Sequence, residues 1–165
     1  MRPKLVAGAV AGVLAGIVFG IMMQMMSAPT PEGGSMPMMV MVAMVVGSQS
    51  LLVGWLYHLF NSAVIGALFG ALLGARVAGY GSGATWGALW GAVWWVLGGL
   101  ILMPIFLDMP PFAALRTPPM RPVAWGSLAG HLIYGVILGT VFVRLRGASA
   151  VRMTGAPTGV GTRTP

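Results

Sequence analysis

The stretch His58-Leu-Phe-Asn-Ser-Ala-Val-Ile-Gly66-Ala-Leu-Phe69 returns 73 residues later as His131-Leu-Ile-Tyr-Gly-Val-Ile-Leu-Gly139-Thr-Val-Phe142. His, Leu, Gly and Phe keep the first, second, ninth and twelfth places. Met36-Pro37 falls on Met109-Pro110 at the same shift, and Gly8, Gly12 and Gly16 fall on Gly83, Gly87 and Gly91 at a shift of 75. The pattern predicts two tandem copies of one unit, about residues 5–76 and about residues 83–146.

What surrounds the doubled stretch decides its medium. Hydrophobic residues make up 58% of the 165 and charged residues 7%, with a mean hydropathy of +0.91. That leaves too little polar surface to cover a water-soluble globule, so lipid must cover the rest. The net charge of +7 is of the kind that draws nucleic acid. Here the cations sit at helix ends and in the tail, which points to orientation in a bilayer and to no nucleic-acid partner. Without cysteine there are no disulfides, thiolate nucleophiles or thiolate metal ligands.

Four runs are long enough to cross a membrane, which takes roughly 20 apolar residues at about 1.5 Å of rise each. The first, Leu5 to Met26, follows Met-Arg-Pro-Lys and outlasts the roughly 7 to 15 residues of a signal-peptide core. The others are about Leu51 to Ala75, about Ala84 to Phe106 and about Val123 to Val143. The fold class is thus an all-α membrane protein of four transmembrane helices. Each unit holds two spans, so the copies point the same way, related by a pseudo-two-fold axis along the membrane normal. Residues 1–146 form the membrane domain, and the Gly, Thr and Pro of residues 147–165 predict a disordered cytoplasmic tail.

Small residues recur every fourth place: Gly8, Gly12, Gly16 and Gly20; Gly66, Gly70 and Gly74; Gly83, Gly87 and Gly91; Gly135 and Gly139. Such rows let helix backbones approach closely, which in lipid replaces the missing hydrophobic drive. They are the expected packing faces, within the chain or toward a second copy or a larger membrane complex. Trp86, Trp90 and Trp94 form a neighbouring row expected to face lipid.

The two long connections differ from the spans. Pro29, Pro31, Gly33 and Gly34 break the first, and its apolar remainder, about residues 36–47, is too short to cross, which predicts an interfacial or re-entrant helix. Met38, Met41 and Met44 line up there. Thioethers are soft copper(I) ligands, while the plainer role of Met is to fill irregular apolar contacts. The second connection, Pro104 to Pro122, cannot be helical throughout.

Counting cations orients the chain. With a cytoplasmic amino terminus, Arg2, Lys4, Arg76, Arg144, Arg146, Arg152 and Arg163 lie inside and Arg116 and Arg121 outside. Both termini are then cytoplasmic, and both Met-Pro connections face outward.

His58 and His131 are the candidate site. Each lies in a four-residue row with small residues, which should turn both imidazoles into the bundle at one depth. An ionisable residue inside a membrane is costly and marks function by default. The pair is suited to ligating a haem iron, to binding a metal ion, or to relaying protons with Asn61, Tyr57 or Tyr134. The plainer role is that each neutral His hydrogen-bonds a partner helix. A transport pathway lined by Gln24, Asn61 and the His pair is the third alternative to a structural or accessory role. No catalytic residues emerge: Gly81-Ser-Gly83 lacks the Lys of a phosphate loop, and Glu32 and Asp108 lie in connections with nothing to perturb them. The expectation is a non-enzymatic protein.

Met36-Pro37 with its Met-rich continuation, Gly54-Trp55 before His58-Leu-Phe, Met103-Pro104 and Gly130-His131-Leu-Ile-Tyr-Gly-Val-Ile-Leu-Gly139 resemble a family of small prokaryotic four-span membrane proteins of unknown function. The likeness covers roughly residues 5 to 145. It implies a shared fold and a prokaryotic cytoplasmic (inner) membrane, and carries over no activity. Met38-Met39 stands where such proteins often have a polar or acidic residue.

Overall fold

The computed structural model describes residues 2–30 and 33–154. Four helices are long and apolar enough to cross a membrane: Pro3–Met25, Leu51–Leu72, Tyr80–Phe106 and Pro118–Arg146. They belong to α1 (Arg2–Met25), α3 (Leu51–Leu72), α4 (Tyr80–Trp94) with its continuation, and α7 (Arg121–Thr154). Short elements fill the connections: β1 (Ser27–Pro29), β2 (Ser35–Pro37), α2 (Met38–Met44), α5 (Met103–Phe106) and α6 (Ala113–Arg116).

Two helix pairs share one packing chemistry. α1 lies on α3, and a Cβ added to Gly8 would strike the Gly66 carbonyl, one added to Gly12 the Ser62 carbonyl, and one added to Gly66 the Gly8 carbonyl. α4 lies on α7 in the same way, with Gly83 against Gly139, Gly87 against Gly135 and Gly91 against the His131 carbonyl. Backbone meets backbone because no side chain stands between them.

α1 also packs on α7, which joins the pairs. Ala7, Ala11, Ala15, Phe19 and Met23 form a second buried row beside its glycines, and Phe19 fits where Gly130 of α7 has no Cβ. Two small-residue rows make α1 the central helix, with 44% of its apolar window buried against 17 to 33% in the other three. The alanine row carries no glycine signature, and sequence alone did not single it out.

The helix ends have local causes. Ser82 Oγ accepts the Gly79 N–H at 3.0 Å and starts α4. Arg146 donates to the carbonyls of Gly74 and Val77, satisfying the backbone of the turn after α3.

The first connection departs from expectation. Where only helix breakers were legible, β1 and β2 pair antiparallel with Ala28 opposite Met36. The helix within 36–47 is the seven-residue α2, about 10 Å long at 1.5 Å per residue. It is seated on α3 where Gly54 meets the Met39 carbonyl. At the other terminus α7 continues to Thr154, so the tail expected from Gly147 begins as helical backbone. Ala148, Ala150, Arg152 and Met153 are good helix formers and no proline intervenes. The rest of that tail, and Glu32, lie outside the described residues.

Candidate functional site

His58 is 8% exposed and, beside Trp55, packs into the space that Gly20 leaves on α1, while Ser62 fills the space at Gly16. Its Nε2–H donates to the Gly16 carbonyl at 2.8 Å, which leaves the lone pair on Nδ1 free. His131 is half-buried on α7, and its Nδ1–H donates to the Ser127 carbonyl one turn back, also at 2.8 Å. Nε2 keeps its lone pair. The two imidazoles are therefore not equivalent: His58 ties α3 to α1, whereas His131 bonds only its own helix.

Phe19 stands between them. Its ring centre lies 5.7 Å from that of His58 and 4.7 Å from that of His131, edge-on to both. A macrocycle held by both imidazoles would need the volume this ring occupies, so the arrangement does not fit a haem. Among the described residues no group of three His, Cys, Asp or Glu comes together, so a metal on the His pair would lack further ligands of those types.

Both imidazoles line a cleft of about 230 Å³ whose other walls include Tyr57 and Asn61 of α3, Trp94 of α4 and Ser127 of α7. The cleft exists because α3 and α4 do not pack backbone to backbone. Trp90 spans the gap and donates its indole N–H to the Ile65 carbonyl at 3.2 Å. The Trp row thus faces α3 as well as lipid, because nothing smaller reaches across.

Beyond Trp94 the helix widens into π-helical turns over Trp95–Leu102, with Met103 N–H reaching back to the Gly98 carbonyl. Such widening is rare and frequent at functional sites. Here it lines the cleft with Gly98 and Gly99. The indole N–H of Trp94 is buried without a hydrogen-bond partner.

The remaining site expectations divide. All twelve glycines of the packing rows meet backbone or side chains of this same chain. Tyr134 is buried and bonded to the Ser62 carbonyl, and Gln24 is exposed and accepts the Trp55 indole N–H at 2.6 Å. Neither is among the cleft residues, whereas Asn61 and Tyr57 are. Sequence reasoning passed over Trp94 and Ser127. Trp94 was legible only as one of a Trp row, and Ser127 stands four residues before His131, the spacing that allows its carbonyl to take the imidazole N–H.

Compared with known proteins, the chain matches no family model, no curated protein and no solved structure.

Proposed function

We propose that this is a non-enzymatic, multi-pass membrane protein that binds a small, mostly apolar molecule in the cleft between α3 and α4. One observation carries the proposal: Trp94, whose buried indole N–H has no acceptor among the described residues, walls the same cleft as two imidazoles with free lone pairs. A buried donor without a partner costs roughly 1–3 kcal/mol. A ligand that accepts from Trp94 and donates to His58 or His131 would recover it. At about 230 Å³ the cleft is smaller than the roughly 300 Å³ at which drug-sized sites begin, which favours a short amide, alcohol or acid with an apolar body.

The scaffold is best explained as a duplicated two-helix hairpin, since Gly8 on Gly66 and Gly83 on Gly139 repeat one contact in both halves. The excess of cations on the two-terminus side supports cytoplasmic termini, and a prokaryotic inner membrane is what the family resemblance implies.

The test is extraction of small molecules from protein purified in nanodiscs, followed by mass spectrometry. A compound retained by wild type and lost from both Trp94→Phe and His131→Leu is the expected result. Identical extracts from all three would end the proposal, and a Soret band in purified protein would point back to haem.

A further inference from the structure

A second cavity, of about 40 Å³, lies at the end of the bundle where both long connections fold. Met38 and Met41 of α2, Met103 at the end of the third span, and Met109 and Met120 of the second connection line it. Fourteen methionines among 165 residues would put about one in a lining of this size, which has fourteen residues. Five are there.

Methionine is the usual filler of irregular apolar gaps because its three rotatable bonds adapt to the space. Around this cavity five such side chains leave the space open. A water needs roughly 10–15 Å³ on the same measure, so the cavity has room for an ion or a few waters but for no organic ligand of any size.

The methionines are held by their backbones. Met38 N–H donates to the Met26 carbonyl at 2.9 Å, Met109 N–H to the Pro104 carbonyl at 2.9 Å, and Met120 N–H to the Thr117 carbonyl at 2.9 Å. Pro104 has no N–H to offer the Leu100 carbonyl, and Phe112 supplies one instead at 2.7 Å. Phe112 does so from a left-handed conformation, φ 63°, which is uncommon for a bulky residue. That bond folds the second connection onto the helix and sets Met109 beside the cavity.

We propose that this chamber is a binding site for a soft monovalent cation, copper(I) or its redox-inert analogue silver(I), held by methionine thioethers. Neutral thioethers suit a polarisable d¹⁰ ion. Among the described residues no carboxylate lines the chamber, so hard divalent cations find there none of the carboxylate ligands they favour. Binding is a ligand exchange with no electron transferred. Met38, Gly99, Met103 and Ser127 also wall the His cleft, so the chamber adjoins it, but the inference does not depend on the cleft having a ligand.

The test uses the full chain in nanodiscs under anaerobic conditions, titrated with copper(I) against a chromophoric copper(I) chelator. One equivalent bound, with an X-ray absorption spectrum showing a sulfur-only shell, is expected. Met38→Leu/Met103→Leu/Met120→Leu should weaken binding at least about 100-fold, while His58→Leu/His131→Leu binds like wild type. Leucine conserves volume, and such exchanges are among the best tolerated in a packed interior. If the triple variant does not fold, Met103→Leu and Met120→Leu singly should each weaken binding about tenfold. No competition with the chelator, a nitrogen-containing shell, or leucine variants that bind like wild type would each overturn the proposal.

Discussion

Tyr134 on α7 donates its phenolic O–H to the main-chain carbonyl of Ser62 on α3, 2.9 Å away and buried. It is the equivalent, in the second copy of the repeated stretch, of Asn61 in the first, which stays in the cleft wall. The bond reaches from one helix pair to the other. Tyr134→Phe should therefore destabilise the bundle by about 0.6 kcal/mol, the average for hydrogen bonds between membrane helices, and by no more than about 1.7 kcal/mol. Equilibrium unfolding in mixed micelles would read it, and an unchanged midpoint would show that the bond contributes nothing.

The glycine contacts differ in what they tolerate. A Cβ at Gly87 would strike the Gly135 carbonyl, whereas one at Gly81 meets nothing within 4 Å. Gly87→Ala is expected to cost about 1–3 kcal/mol, as overpacking against backbone does. Gly81→Ala should gain up to about 1 kcal/mol by restricting the unfolded chain. Thermal melting of the two variants in one detergent checks the sign of both.

The imidazoles are predicted to separate under mutation. His58→Leu removes a bond between helices, and His131→Leu removes one within a helix. The first should cost about 1 kcal/mol more than the second. Equal losses would mean that His131 also holds a partner helix.

Orientation is open to direct labelling because the chain has no cysteine of its own. A single cysteine at Ser35 or Thr117 in intact cells should react with a membrane-impermeant maleimide, and one at Gly79 only after lysis. The reverse pattern would place the termini outside.

Sequence by itself determined the four spans and the residues on which they meet. Both are local properties: hydropathy accumulates along one helix, and a glycine every fourth place marks a face whatever lies opposite. Gly8, Gly12, Gly83 and Gly87 could therefore be named in advance, and so could the inward turn of His58. Which row meets which partner could not. The central place of α1 rests on alanines that look like any apolar filling.

Tertiary structure alone decided the sites. The cleft depends on α3 and α4 standing apart, with Phe19 between two imidazoles that look alike in sequence and bond differently. The methionine chamber depends on residues as distant as Met38 and Met120 reaching one place, through the bond from Phe112 to the Leu100 carbonyl that Pro104 leaves free. A cavity is the space that several elements fail to fill together, and no single stretch of chain encodes it.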